Sequence, residues 1–389
     1  MSKSKAVKPA PASMLEFYIA EQISPVHQDI RDLAAHFDRR GSLYRCLGLL
    51  PSAFRDATVL EVGPGSGHNS LYIASRQPRR YDLVEGNPVA GREIAELYRG
   101  LAVPHTKPAV TITRFEDFQT SQRYDICISE GWLGSSEHER KLVGKLARFV
   151  AEDGVLVVTT ISPIGLIANM LRRALGIRLT GHGADTATRT RILVQAFGGH
   201  LTTMKHMTRP HVDWVQDNLV SPAYYGICLT PEMVLAEIGA QFEYYSSSPR
   251  IASDWRWYKM LQGPDKAFNR QFLDEYYGVC HSFIDYQSVW PARSPERNRE
   301  LEAIAWSLLA ATRDFEAGAP EGQASIAAVL KRLQRHAQEI APSLTLAFEE
   351  FAELFGRRKV SVADVDAMTH FRSVFGRELI YLSFHRAAG

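Results

Sequence analysis

With 389 residues, of which 45% are hydrophobic, the chain can bury a larger core than one minimal α/β domain requires. Its formal net charge of +2 gives no overall field typical of nucleic-acid binding, so nucleic acid is not an expected partner. Four cysteines lie far apart without metal or redox spacing, so we expect reduced thiols, no metal site and a cytoplasmic protein. These cysteines are Cys46, Cys127, Cys228 and Cys280.

The chain begins with residues rich in Lys, Pro, Ala and Ser. Residues 1–13 lack the apolar centre of a signal peptide and are predicted to form a flexible tail. Helical patterns follow between 14 and 50, with breaks near Ser24 and Gly41.

Residues 57–70 carry the most specific pattern. Ala57 to Val62 predict a short apolar strand, three glycines then alternate along the chain, and a helix is predicted from Ser70. Such a turn lets a ligand approach the backbone, and the helix after it offers free N–H groups. A dinucleotide loop would need glycine where His68 stands, so that type of loop does not fit.

Further strands follow this turn at regular spacing. Residues 81–84 predict the second strand, which ends in Glu85 about 20 residues past the glycine turn, a spacing typical of a ribose-binding acid. Later strands are predicted at 109–113, 124–129, 154–160, 241–245 and 378–385, with helices at 69–76, 88–100 and 136–150. One more helix is predicted from Thr230, with Pro231 in its first turn and Gly239 at its end.

The pattern Glu61-x-Gly63-x-Gly65-x-Gly67, with these strands in order, resembles the class I S-adenosylmethionine-dependent methyltransferases. The resemblance implies an α/β fold: a Rossmann-like, seven-stranded mixed sheet flanked by helices, with large, mainly helical insertions. It places the seventh strand antiparallel at the sheet edge. It also implies S-adenosyl-L-methionine as the cofactor.

On this resemblance the catalytic domain is split by two insertions. The expected segments are a flexible tail (1–13), N-terminal helices with the cofactor-binding core (14–162), a lid or substrate insertion (163–229), a core helix with strand six (230–249), a helical accessory insertion (250–375) and strand seven (376–389).

The resemblance also assigns cofactor-binding residues. Glu85 is expected to hold the ribose, Asp117 the adenine amino group, with Glu116 able to exchange roles with it, and the end of strand four the methionine part. The full set is Tyr44, Glu61, Gly63, Pro64, Gly65, Gly67, Glu85, Gly86, Asn87, Glu116, Asp117, Phe118, Ser129, Glu130 and Gly131.

Catalytic and substrate residues carry weaker signals. A base is needed only if the acceptor group is protonated at neutral pH, and His211 with Asp213, or His182, are the candidates. Aromatic side chains suit stacking on a sugar or a flat ring. The substrate-binding candidates are Trp132, Trp214, Tyr224, Tyr225 and Trp255.

The predicted function is methyl transfer to a small or glycan-like acceptor, at oxygen, of the kind found in bacterial polysaccharide or secondary-metabolite pathways. Two alternatives remain: a protein or RNA target held by Arg172–Arg173 and the basic turn 357–359, or a cofactor-binding scaffold without catalysis. The apolar stripe in 164–175 predicts a lid helix or, as a second possibility, a helix that contacts a membrane surface. The oligomeric state is not predicted.

Overall fold

The computed structural model describes residues 13–24, 27–134, 136–221 and 227–387. Its centre is a mixed sheet of seven strands in this part of the chain. The strands are β1 Thr58–Val62, β2 Arg80–Glu85, β3 Ala109–Ile112, β4 Tyr124–Ser129, β5 Val150–Ile161, β6 Phe242–Ser248 and β7 Leu379–Arg386. Their order is β3-β2-β1-β4-β5-β7-β6, which confirms the predicted fold class.

The position of β7 corrects one expectation. This strand pairs antiparallel with both β5 and β6, so it lies inside the sheet and β6 forms the edge. Ile380, Leu382 and Phe384 are completely buried, and so is Ser383, whose hydroxyl donates to the carbonyl of Leu47 at 2.9 Å. Both faces of β7 are therefore covered, as expected of an internal strand.

Helices cover both faces of the sheet. Those of the described residues are α1 Met14–Ala20, α2 Leu33–Cys46, α3 Pro51–Phe54, α4 Ser70–Ser75, α5 Pro88–Arg99, α6 Glu137–Ala147, α7 Pro163–Thr180, α8 Thr186–Leu201, α9 His211–Val215, α10 Pro231–Ile238, α11 Phe268–Val279, α12 Pro295–Glu316, α13 Gly322–Ile340, α14 Pro342–Gly356 and α15 Val362–Asp366.

Local signals fix where several of these helices begin and end. Thr230 accepts the N–H of Met233 at 3.4 Å, Pro231 occupies the first turn of α10, and Gly239 ends the helix with φ 83°. The strand β5 begins at Val150, four residues before the prediction, because Val150 pairs with Tyr124 at the start of β4.

Two hydrophobic cores lie on opposite faces of the sheet. One joins α2, α4 and α5 to the sheet through residues such as Tyr44, Leu71 and Ile94. The other is larger and contains the second face together with α6, α7, α10 and the accessory helices α12 to α14. The accessory helices thus extend the main core through apolar contacts.

The environment of α7 shows that the membrane-contact interpretation was wrong. Every residue from Pro163 to Ile177 is buried, so this helix has no apolar face left for a lipid surface. Arg172 donates to the carbonyl of Val374 at 2.8 Å and lies 3.8 Å from the Phe375 ring, and its burial lowers its pKa to about 9. Arg173 is equally buried, which excludes this arginine pair as a surface for a protein or RNA target.

Within the described ranges, no helix is both long and apolar enough to cross a membrane.

Candidate cofactor-binding site

The loop after β1 owes its shape to glycine. Gly63, Gly65 and Gly67 have φ values of 72°, 58° and 78°, in the left-handed region that side chains disfavour. A Cβ atom at Gly63 would lie 2.2 Å from the indole of Trp132. The indole N–H donates to the carbonyl of Val62 at 2.8 Å, so Trp132 closes one side of the loop.

Glu85, at the carboxyl end of β2, faces this loop. Its carboxylate accepts the N–H of Gly65 at 2.9 Å and the N–H of Asn87 at 2.7 Å. Burial raises the pKa of Glu85 to about 7, although the backbone bonds from Asn87, Gly65 and Gly86 act in the opposite direction. Each carboxylate oxygen can accept a second hydrogen bond, so the pair of oxygens fits two neighbouring hydroxyl groups.

Glu61 is a buried residue of β1, just before the glycine loop. The hydroxyl of Tyr81 on β2 donates to its carboxylate, and only 3% of the residue is exposed. Burial, and then the negative charge of Glu130, raise the pKa of Glu61 to about 7. Its bonds within the protein suit a support for β1 and the loop better than direct contact with a cofactor.

A buried ion pair joins α2 to the end of β4. Arg40 donates to both carboxylate oxygens of Glu130, at 2.7 and 2.8 Å, and the Tyr44 hydroxyl donates to the same carboxylate at 2.8 Å. In the described part of the chain, Arg40 Nε and Ser129 Oγ are buried without a hydrogen-bond partner. Buried polar atoms without partners are uncommon, so this region fits a polar ligand.

The N-terminal helix α1 covers the loop after β2. A Cβ atom at Gly86 would lie 2.9 Å from the Leu15 side chain, so glycine is needed for this close approach. Asn87 donates to the carbonyl of Ile23 at 2.8 Å and also caps α5 through the N–H of Val89. The segment before α2 is thereby tied to the strand end that carries Glu85.

The residues after β3 differ in their freedom to bind a ligand. Glu116 pairs with His138 at 3.1 Å, whereas Asp117 is exposed. The Phe118 ring is half-buried and stacks on Phe115 at 6.4 Å between ring centroids. Asp117 is thus the freer acceptor of the two carboxylates.

Two further predicted cofactor residues lie just after β1 and β4. Pro64, after β1, is buried, and the N–H of Gly131, after β4, donates to Thr159 at 2.7 Å.

The catalytic and substrate candidates are not all brought together. His182 lies between α7 and α8, where it packs against Phe315 and pairs with the carbonyl of Glu316 at 3.3 Å; this binds it to the accessory helices. Trp214 is a core residue that packs edge-on against Phe375. Tyr224 and Tyr225 lie outside the described residues.

Trp255 lies at the wrong edge of the sheet for a substrate residue. Its neighbour Arg256 donates to the carbonyl of Lys266, and Lys266 pairs with Glu243 near the amino end of β6 at 3.2 Å. Because β6 is antiparallel to β7, and β7 to β5, this end of β6 lies where the parallel strands begin. The glycine loop follows the opposite, carboxyl end of β1.

A surface cavity of about 410 Å³ adjoins the glycine loop. The backbone N–H of Gln28 in its wall donates to His68 of that loop at 3.0 Å, and Thr208 from the first insertion donates to the Gln28 side chain at 2.9 Å. The lining residues are His27, Gln28, Asp29, Arg31, Met207, Thr208, Arg209 and Pro210.

Sequence patterns missed most of these cavity residues. His27 was overlooked because its partner Glu93, at 3.1 Å, belongs to α5 and lies 66 residues away. The predicted base candidate His211 lies at the start of α9, directly after the cavity residues Arg209 and Pro210. No local signal pairs residues 27–31 with 207–210.

Comparison with known protein families finds a model that matches part of this chain. Residues 28–197 match a family model described as a methyltransferase domain. A search of curated proteins finds no match.

The solved structures that match parts of this chain include the following three. The CcbJ methyltransferase from Streptomyces caelestis is 18% identical over 37% of this chain and 53% of its own, with a TM-score of 0.27. The N-methyltransferase NodS from Bradyrhizobium japonicum WM9, in complex with S-adenosyl-L-homocysteine, is 20% identical over 34% and 65%, with a TM-score of 0.27. PKMT2 from Rickettsia typhi is 14% identical over 57% and 44%, with a TM-score of 0.37.

This chain therefore covers only 44% to 65% of the length of these three structures. The matched range of the family model contains the glycine loop, Glu85 and Glu130. It confirms that the chain carries the predicted methyltransferase domain, with S-adenosylmethionine as the cofactor of that domain.

Proposed function

We propose that the class I S-adenosylmethionine-dependent methyltransferase domain of this chain methylates a hydroxyl group of a small or glycan-like, polar acceptor. The observation that carries this proposal is the cavity beside the glycine loop. Its volume of about 410 Å³ is in the range of small-molecule sites, and most of its lining residues are polar or charged.

The residues at the sheet edge fit the cofactor. When bound, the cofactor supplies a methyl group on a positively charged sulfur. Glu85 would accept the two ribose hydroxyls and Asp117 the adenine amino group. The Arg40–Glu130 pair suits the zwitterionic methionine end, because guanidinium complements its carboxylate and the Glu130 carboxylate complements its ammonium.

The cavity wall also offers a base. His27 pairs with Glu93 at 3.1 Å, and a carboxylate partner fixes the orientation of an imidazole. In the proposed step, His27 takes the proton of the acceptor hydroxyl as its oxygen bonds to the methyl carbon. The bound cofactor would supply the methyl group and would be released as the neutral thioether, which balances charge and atoms.

His211 is the second candidate for the base. It follows Pro210 of the cavity wall, and Asp213 lies two residues further along α9. Much of the acceleration in such a transfer comes from orienting the acceptor and excluding water, so loss of the base should slow the reaction without abolishing it.

Isothermal titration with S-adenosylhomocysteine tests the cofactor site. We expect binding by the wild type, and loss of about tenfold or more in Glu85→Gln, because charge-assisted bonds to the ribose are removed. Glu137→Gln is the matched control, since Glu137 is an exposed residue of α6. A folded wild-type protein that does not bind would overturn the enzyme proposal.

An acceptor screen with labelled methyl groups tests the chemistry. With an acceptor in hand, His27→Gln and His211→Gln should differ: the true base variant loses about 100-fold or more in kcat and its rise in rate with pH. Glu93→Gln should lower kcat less and change the pH profile in the same direction as His27→Gln. Unchanged pH profiles in all three variants would exclude both histidines as the base.

A further inference from the structure

An exposed cluster of large apolar side chains lies far from the cofactor loop. Four of the six residues from 255 to 260, here called the aromatic tip, project into solvent. Trp255 is 94% exposed, Trp257 61%, Tyr258 71% and Met260 57%. Exposed apolar clusters of this size mark interaction surfaces more often than isolated exposed residues do.

The aromatic tip is held in place from within. Arg256 binds Asp254 through its Nε and Nη2 atoms at 2.9 and 2.6 Å and donates to the carbonyls of Asp265 and Lys266, both at 2.7 Å. The Lys259 ammonium lies 5.0 Å from the centre of the Trp257 ring. A loop fastened in this way presents its aromatic side chains at little cost in conformational entropy.

The edge of the sheet beside the aromatic tip is basic. An exposed Arg or Lys precedes each of the five parallel strands. We call these five residues the basic edge. Among the described residues, the side-chain cations of these five have no hydrogen-bond or ion-pair partner. They are Arg55 before β1, Arg79 before β2, Lys107 before β3, Arg123 before β4 and Arg148 before β5.

Negative charge on this edge is smaller. Four exposed carboxylates share it, and two of these are engaged by neighbours. Asp125 accepts from the Thr58 backbone at 2.7 Å, Asp153 lies 3.5 Å from His385, and Asp56 and Glu152 are the other two, so the five cations exceed the four carboxylates by one. Because neighbouring strands lie about 5 Å apart, the cations form a row along the amino ends of β1 to β5, and β7 lies between the last of these strands and β6, which leads to the aromatic tip.

We propose that this edge docks on an anionic lipid surface, with the aromatic tip in the lipid–water interface and the basic edge against the headgroups. Trp and Tyr side chains favour that interface, and each basic residue near an anionic membrane adds to the attraction. The cluster protrudes and is not a groove, so it suits a soft surface better than a rigid protein partner. Docking at this edge leaves the carboxyl edge with the glycine loop free.

Vesicle flotation of the full-length protein tests the proposal. We expect the protein to float with vesicles of equal parts phosphatidylcholine and phosphatidylglycerol, and much less with phosphatidylcholine alone. Trp255→Ala/Trp257→Ala should weaken binding by about tenfold or more. Arg123→Glu/Arg148→Glu should weaken it by about fivefold or more per residue and reduce its dependence on salt.

Matched controls separate this surface from general effects. Arg332→Glu/Arg335→Glu changes the same number of exposed charges on α13, and Val289→Ala/Leu346→Ala changes exposed apolar residues elsewhere. Neither control should alter flotation, and no variant should alter titration with S-adenosylhomocysteine. The flotation assay contains no cofactor or acceptor, so its outcome is independent of the proposed methyl transfer.

Three results would overturn the proposal. The first is no flotation, or flotation that the controls reduce as much as the test variants do. The second is binding of a labelled single-stranded RNA through the same residues without binding to vesicles. The third is self-association in analytical ultracentrifugation that Trp255→Ala/Trp257→Ala abolishes, which would assign the aromatic tip to a second copy of the chain.

Discussion

The variant Glu61→Gln measures what it costs to keep an ionised carboxylate beneath the glycine loop. Glu61 is buried, bonded to the Tyr81 hydroxyl and close to the negative charge of Glu130. Its pKa of about 7 in the folded protein lies well above the ordinary value of 4.5. The folded state therefore holds this proton more tightly than the unfolded chain does.

Glu61 should make the folded protein less stable as the pH rises. Stability from the protonated Glu61 is fully present below pH 4.5 and is lost as the pH rises through about 7. The gap between the two pKa values corresponds to at most about 3 kcal/mol in the free energy of unfolding. Glutamine keeps the shape and an acceptor for Tyr81 but cannot ionise, so the variant should avoid this loss.

Urea unfolding at pH 5 and pH 8 provides the assay. Between these pH values the free energy of unfolding of the wild type should fall by about 2 to 3 kcal/mol more than that of Glu61→Gln. The stability of Glu61→Gln still depends on pH because Glu85 and Glu302 also have pKa values of about 7. Glu137→Gln, on the exposed side of α6, should follow the wild type. If Glu61→Gln also loses stability in parallel with the wild type, the assignment of this pH dependence to Glu61 is wrong.

Two further predictions concern the loop and the core. Gly63→Ala places a methyl group against the Trp132 indole at positive φ, so it should weaken S-adenosylhomocysteine binding in titration. In urea unfolding it should lose more stability than Gly181→Ala. Gly181 also has a positive φ (70°), but no atom lies within 4 Å of the added carbon. Arg173→Met removes one of the two arginines that pair with the buried carboxylate of Glu316 and should cost about 3 kcal/mol in urea unfolding. Arg173→Met/Glu316→Leu should recover most of that loss, and a double variant as unstable as the single one would contradict this account.

Local chemistry explains why much of the fold could be predicted. The strands of the central sheet are short apolar runs, the glycines of the loop have the positive φ values that their spacing suggests, and Thr230 with Pro231 begins α10. Each of these features depends on residues within a few positions of one another. The resemblance to a known family supplied the seven-stranded mixed sheet, which periodicity alone does not give, although it placed β7 at the edge, where the structure has β6.

The remaining site features depend on long-range contacts. Arg40 and Glu130 are 90 residues apart, and the sequence patterns assign Glu130 to the cofactor region without indicating that Arg40 pairs with it. Arg172 and Arg173 looked like the polar flank of an amphipathic helix because nothing nearby indicates the Val374 carbonyl or the Glu316 carboxylate. Charged residues are seldom buried without such partners, so a surface assignment was the natural one from sequence.

The two edges of the sheet impose different demands on their side chains. At the carboxyl edge, Glu85 and the Arg40–Glu130 pair are buried, and the structure fixes them through backbone and side-chain hydrogen bonds. The basic edge and the aromatic tip lie at the amino ends of the strands and are exposed to solvent. Their side chains can therefore contact an external partner. Because the length of the strands separates these two sets, substitutions in one should leave the other intact. Cofactor titration and vesicle flotation can therefore be changed independently, and a variant that impaired both would point to a shared loss of the fold.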